Sequence, residues 1–328
     1  MSKTSNGKAT VREQVVTKQW VLYNGDCVQV LPGIKDESVG FVIYSPPFAD
    51  LFSYSDSDRD MGNCRDYNEF FTHFKFLAAE LMRVLMPGRI MAVHCMDLPI
   101  HQNKEGYSGT RDFSGDLIRC FQKEGFIYHC PRITIWKDPL IAATRTHAKN
   151  LAHGQLIKDS AACGIGTPDH IVVMRKPGEN PEPIQHPEGL TDYAGSREVP
   201  RHLSQWVGHA DQRTNKRSHW IWQQYASPVW FDIRQTKVLP HRKGKEEDDQ
   251  RHICPLQTDT IERCLTLWSN PGDVVLSPFA GVGSEIYVAV QMGRKGVGIE
   301  LKPSYFRQAV RNLESLKFNR KGGKRLLT

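Results

Sequence analysis

The sequence predicts an α/β protein, an open and mostly parallel sheet layered with helices, and three observations predict it. From Trp20 to Lys176 short apolar runs alternate with stretches of helical spacing. The last part of the chain continues the pattern as a strand, a glycine-rich turn, a helix and another strand. Between the two lies Pro177 to Gln250, which is polar, rich in histidine and only weakly periodic, as an inserted module would be.

Residues 1–19 are polar, with scattered Lys and Arg and no apolar core, so they predict a flexible tail and no secretory signal. Residues 20–176 form the first part of the sheet domain. Its strands are Trp20 to Tyr23, Gly40 to Tyr44, Ile90 to His94, Phe126 to His129 paired with Arg132 to Trp136, and His170 to Met174. Tyr67 to Leu85 sets Phe70, Phe71, Phe74, Leu77, Ala78, Leu81 and Leu85 at helical spacing, and Pro87-Gly88 ends that helix. Ser114 to Lys123 predicts a second helix, capped by Ser114.

The Gly, Asn and prolines of Pro177 to Pro187 open residues 177–251 as a separate region. Lys243 to Gln250 carries no apolar side chain and predicts a solvated loop before regular structure resumes at Ile253. Residues 252–316 hold the helix Thr258 to Trp268, the turn Asn270-Pro271-Gly272, the strand Val274 to Leu276 and the helix Glu285 to Met292. The strand Gly296 to Ile299, ending on Glu300, and the helix Pro303 to Leu316 complete this β-α-β unit. Residues 317–328 form a basic tail.

The 328 residues, 39% of them apolar, suffice for a sizeable core, and no apolar run approaches the roughly 18 residues of a membrane span. Eight cysteines without a C-x-x-C pair, with Cys27, Cys95 and Cys264 inside apolar stretches, fit reduced core residues in a cytoplasm. Cys120, Cys130, His94 and His129 lack the close spacing of a zinc site, so no metal is expected. The net charge of +7 and pI near 8.9 favour a polyanionic partner. Its distribution says more: Arg201, Arg213, Lys216 and Arg217 gather against one acid, Asp211, among histidines and with Trp206, Trp220, Trp222 and Trp230 among or beside them.

Two constellations carry chemistry. In the first, Ser277-Pro278-Phe279-Ala280-Gly281-Val282-Gly283-Ser284 joins a strand to a helix and so brings backbone N–H groups to the mouth of a pocket. Glu300 stands 19 residues past Gly281, at the end of the next strand, where a carboxylate can accept from both ribose hydroxyls. Ile286 replaces the third glycine of the dinucleotide fingerprint, which favours an adenosine-bearing ligand without a pyrophosphate, such as S-adenosylmethionine.

In the second, Val42-Ile43-Tyr44 runs into Ser45-Pro46-Pro47-Phe48, at the carboxyl end of a buried strand. An exocyclic amino group on a base is a poor nucleophile because its lone pair is delocalised into the ring. Acceptors for both of its N–H groups draw the nitrogen towards tetrahedral character, and Ser45 Oγ with the Pro46 carbonyl suits that task. Phe48 offers a face for stacking, worth about 1–3 kcal/mol in single-strand systems.

Ser45 to Phe48 resembles the catalytic tetrad of the DNA amino-methyltransferases, Ser277 to Ser284 resembles their cofactor loop, and Tyr23-Asn24-Gly25-Asp26 resembles their opening segment. The order, tetrad before cofactor loop, is similar to the β group of that family. The resemblance implies a Rossmann-like S-adenosylmethionine-dependent methyltransferase fold with a seven-stranded, mostly parallel, circularly permuted sheet and an inserted target-recognition region over 177–251. It implies adenine contact by Asp26, ribose contact by Glu300 and contacts along the methionine by Ser277, Pro278, Phe279, Ala280, Gly281 and Gly283. A cap on the following helix is an equal reading of Asp26. Ser277 stands where family members commonly carry an acid.

A serine heading the tetrad resembles the cytosine-N4 enzymes more than the adenine-N6 enzymes. The resemblance further implies double-stranded DNA as partner, a target base turned out of the helix, contacts from Arg201, Arg213, Lys216 and Arg217, and a cytoplasmic setting in a bacterial or phage-infected cell. Monomer and homodimer both stay open. The rival readings are an adenine-N6 methyltransferase, an inactive DNA-binding relative, and a dinucleotide oxidoreductase, which explains Glu300 and the glycines but not Ser45 to Phe48.

Overall fold

The computed structural model describes residues 11–48, 61–64, 66–140, 150–211, 213–241 and 255–316. The solvated loop expected at Lys243 to Gln250, the resumption at Ile253 and the basic tail 317–328 lie outside the described residues.

The strands are β1 (Glu13–Val16), β2 (Trp20–Asn24), β3 (Val39–Tyr44), β4 (Leu85–Met96), β5 (Leu98–Ile100), β6 (Gly109–Arg111), β7 (Ile127–Tyr128), β8 (Ile133–Ile135), β9 (Asp169–Arg175), β10 (Val229–Trp230), β11 (Val274–Ser277) and β12 (Lys295–Glu300). Ten of them make one sheet in the order β1-β2-β12-β11-β3-β4-β9-β8-β10, with β7 also on β9. The neighbours from β2 through β4 are all parallel, and β9 runs antiparallel to β4. The sheet is permuted as expected: β11 and β12, from late in the chain, lie between β2 and β3.

Seven strand positions are present, but the described sheet exceeds them at both edges. β1 pairs antiparallel with β2, so residues 13–16, expected to be tail, are a strand. β10 adds parallel to β8 and brings the inserted region into the sheet. The expected hairpin of Phe126 to His129 with Arg132 to Trp136 is corrected. β7 and β8 both pair with β9, in line along one side of it, because the short link through Cys130-Pro131 carries the chain onward along β9 instead of reversing it.

Both faces of the sheet are covered, which is why β3 reads as an unbroken apolar run and is wholly buried. On one face pack α2 (Tyr67–Val84), through Phe70, Phe74, Leu77 and Leu81, and α4 (Phe113–Lys123), through Leu117 and Phe121. The short helix α1 (Cys27–Val30) comes before α2 and α3 (Gln102–Glu105) lies between α2 and α4, while α5 (His153–Lys158) and α6 (Lys216–Tyr225) follow. On the other face pack α7 (Thr258–Trp268), α8 (Ser284–Gln291) and α9 (Pro303–Glu314). The cap of α4 is Asp112, which accepts from Gly115 N–H at 2.9 Å. Ser114, the expected cap, lies inside the helix and donates from Oγ to Asp97 at 2.6 Å.

The inserted region is tied to α7 by Arg234 and Lys237, which pair with Asp259 and Glu262, and by one buried side chain of the helix itself. Arg263, wholly buried, donates to Ala194 O at 2.7 Å and to Asp232 Oδ1 at 2.8 Å, and packs its guanidinium on the rings of Tyr193, Tyr225 and Trp230. No helix among the described residues is long and apolar enough to cross a membrane.

Candidate active site

From β11 the chain crosses over to β12, and from β3 it crosses in the opposite direction to β4, so the border of β11 and β3 is a topological switch point. Open α/β sheets place their ligands in the crevice beyond the strand ends at such a point. The pairs Val275↔Phe41 and Leu276↔Val42 put Ser277 and Ser45 at the same end of adjacent strands. Both sequence constellations therefore meet at one place, as the permuted order required. Tyr44 and Phe279 join them, with ring centroids 5.7 Å apart.

The cofactor side is built on three strand ends. Gly281 N–H donates to Glu300 Oε2 at 2.7 Å, and Lys302 N–H donates to Oε1 at 2.8 Å, so the carboxylate is held at the glycine loop. Asn24 Nδ2 donates to the carbonyls of Glu300 and Leu301, at 2.8 and 3.1 Å, which ties the end of β2 beside the end of β12. Asp26, just beyond, accepts from Val28 N–H at 3.0 Å and caps α1. Gly281 has φ +53, a left-handed conformation that side chains resist, yet a Cβ there would meet nothing within 4 Å. Open space thus lies along the loop, beside a fixed carboxylate, and Ser277 Oγ and Tyr44 OH are buried with no hydrogen-bond partner among the described residues. These residues fit an adenosine-bearing ligand.

Glu285, at the start of α8, is a carboxyl that the motifs did not mark. Burial, assisted by the nearby charge of Glu300, pushes its pKa up to about 8.

On the tetrad side Pro46 and Pro47 are buried, while Ser45 and Phe48 are half-buried at the mouth. Among the described residues no protein donor takes the Pro46 carbonyl. Phe48 meets Phe113 edge-on, with centroids 6.4 Å apart. Ser45 Oγ lies 3.1 Å from His94 Nδ1, His94 Nε2 lies 3.0 Å from Asp169 Oδ2, and Lys137 Nζ pairs with Asp169 Oδ1. Burial opposes the charged form of Asp169, but Lys137 and then His94 outweigh it and hold the carboxyl below the usual carboxylate range. The motifs gave no sign of His94, Asp169 and Lys137. The alternation of side chains offers one signal: His94 falls on the face of Ile90 and Ala92, and Asp169 on the face of Ile171 and Val173, all toward α7.

The basic residues of the inserted region lie away from the tetrad in sequence and are mostly exposed. Arg201, Arg213 and Lys216 reach solvent, and Lys216 Nζ sits 5.6 Å from the ring centre of Trp206. Arg217 is partly withdrawn, with Nε donating to Thr191 O at 2.9 Å.

A switch-point crevice with a held carboxylate, a glycine loop and a Ser-Pro-Pro-Phe turn defines the class of α/β methyltransferases. The DNA methylase family model, of the N6/N4 type, matches residues 39–311. The chain belongs to that family. It is 22% identical over 283 residues to the Type II methyltransferase M.BamHI of Bacillus amyloliquefaciens, covering 85% of this chain and 54% of the relative, so it spans about half of that relative's length. Its fold is similar to that of a protein of Thermus thermophilus, provisionally assigned as a DNA modification methylase and solved with S-adenosyl-L-methionine. The TM-score there is 0.58 at 22% identity, over 90% of this chain and 95% of the other. It is also similar to the cytosine-N4-specific PvuII DNA methyltransferase, with a TM-score of 0.60 at 15% identity over 96% and 92% of the two chains. Family membership sets the dinucleotide oxidoreductase aside.

Proposed function

We propose that the protein transfers a methyl group from S-adenosylmethionine to the exocyclic amino group of a base in double-stranded DNA, with cytosine N4 as the acceptor. The observation that carries this reading is the meeting of Ser45-Pro46-Pro47-Phe48 with the Glu300-anchored glycine loop at the switch point. When bound, the cofactor supplies an electrophilic methyl group on sulfur. Ser45 Oγ and the Pro46 carbonyl take the two N–H groups of the amine and aim its lone pair, so that positioning does most of the work. Phe48 flanks the base, which must leave the helix to reach this depth, at a cost of a few kcal/mol.

Ser277, Pro278, Phe279, Ala280, Gly281 and Gly283 line the cofactor's methionine side, Glu300 its ribose and Asp26 its adenine. Arg201, Arg213 and Lys216 approach the phosphates, and the region 177–251 selects the target. The cytosine assignment draws support from Ser45 and from the specificity of the PvuII enzyme, and a cytoplasmic setting follows from the reaction.

The test is mass spectrometry of nucleosides from plasmid DNA grown with the wild-type gene or with Ser45→Ala, in a host without amino-methyltransferases. N4-methylcytosine with wild type alone supports the proposal. N6-methyladenine keeps the chemistry and overturns the base, and no methylated base favours an inactive DNA-binding relative.

A further inference from the structure

We propose that His94, Asp169 and Lys137 act behind Ser45 as a directed proton acceptor, fixing its hydroxyl as an acceptor for the target amine and receiving the proton that methylation releases. The inference rests on the amino-transfer reading above.

The direction follows from the chemistry of each group. Asp169 is 2% exposed and paired with Lys137, and an ionised carboxylate only accepts. The nitrogen of His94 that faces it, Nε2, therefore carries the ring proton, and Nδ1 presents its lone pair to Ser45. Ser45 spends its only proton on His94, which leaves its oxygen lone pairs for an N–H of the amine. A lone serine could equally point its proton at the amine nitrogen and block the attacking lone pair. The Nε2–Oδ2 approach is close but bent, so it acts chiefly through charge, and its worth rises when His94 becomes a cation.

The amine lone pair forms the C–N bond to the methyl carbon, and the S–C bond breaks with its electron pair remaining on sulfur. The nitrogen, now carrying one proton too many, gives it to Ser45 Oγ as the Ser45 proton passes to His94 Nδ1. The products are the N-methylated base, a neutral thioether and an imidazolium beside Asp169, which returns its proton to solvent between turnovers. His94 and Asp169 touch no substrate and are positioning residues that act through Ser45.

The groups facing His94 are Ser45 from the end of β3, Asp169 from β9 and, behind it, Lys137 following β8. On the opposite face of the sheet lie His170, Asp97 and Arg132, with His170 Nε2 3.9 Å from Asp97.

Two measurements test the array. Imidazole nitrogen NMR of the wild-type protein should show His94 protonated on Nε2 and bare on Nδ1, and the opposite tautomer overturns the proposal. Single-turnover methylation by His94→Gln and by Asp169→Asn, each first shown to bind S-adenosylmethionine as wild type does, should fall by about 100-fold. A rate like that of wild type overturns the proposal. If Asp169→Asn fails to fold because Lys137 is left unpaired, Asp169→Asn with Lys137→Met replaces it. A wild-type protein that methylates no base overturns the functional reading, and the tautomer then decides the array independently.

Discussion

The backbone N–H of Gly281 and the carboxylate of Glu300 are joined at 2.7 Å, across the ends of the adjacent strands β11 and β12. One residue thus shapes the glycine loop, and in the proposed function the same carboxylate accepts from the ribose. Its second oxygen is committed to Lys302 N–H, which fixes the direction in which the carboxylate faces. A hydrogen bond to a charged group is worth about 1.5–3 kcal/mol. Glu300→Ala should therefore weaken S-adenosylmethionine binding by tenfold or more in calorimetry, with Glu300→Gln between it and wild type. Gly281→Ala should cost about 1 kcal/mol of stability from its left-handed backbone, without a clash. Unchanged affinity in Glu300→Ala would sink the ribose assignment.

Arg263 is the buried tie between α7 and the inserted region, with its guanidinium against Asp232, Ala194 O and three aromatic rings. Removing it leaves Asp232 buried without its cation, and breaking such a pair costs about 3–5 kcal/mol. Arg263→Met should lower the urea midpoint accordingly. The double variant Arg263→Met with Asp232→Leu should recover part of the loss, because neither charge is then stranded. Equal loss in both variants would show that the ring packing, not the ion pair, is the anchor.

The parts legible in the sequence are those whose signal is local. Val39 to Tyr44 reads as a buried strand because both of its faces are covered, and Gly281 with Gly283 marks a turn that few other residues can make. The meeting of tetrad and loop followed from strand order alone. β1 and β10 carry too few residues for a period to show, and the Asp112 cap was hidden by a serine two positions on. His94 and Asp169 were illegible for another reason. Their approach depends on the antiparallel register of β4 against β9, where Met96 pairs with Asp169 and His94 with Ile171, and no local pattern states that register.

Glu285 gives the fold a pH dependence of definite sign. Burial raises its carboxyl from 4.5 to about 8, so at neutral pH the folded chain holds a proton that the unfolded chain has released. The folded state therefore binds more protons through this group, and its stability falls as pH rises from the unfolded value through the folded one. Glu285→Gln keeps the shape and removes the ionisation. Against wild type it should gain stability on the order of 3 kcal/mol from pH 5 to pH 8.5 in paired urea titrations. Parallel pH profiles for the two proteins would show that the carboxyl finds a cationic partner as it ionises.

Arg201, Arg213 and Lys216 are exposed, whereas Arg217 spends its Nε on Thr191 O within the inserted region. The first three can each neutralise a phosphate at little cost to the fold, and each phosphate neutralised steepens the salt dependence of binding by about 0.9 in the log–log slope. Replacing the three by Gln should weaken binding to duplex DNA and flatten that slope by about 2–3. Cofactor affinity and melting temperature should stay as in wild type. Arg217→Gln should instead lower the melting temperature, because the Thr191 carbonyl loses its donor. The binding isotherms are best taken at several salt concentrations on one duplex, since a single affinity cannot separate lost charge from lost shape. An unchanged slope in the triple variant would remove these residues from the DNA-facing surface and turn the search to the basic side chains elsewhere on the chain.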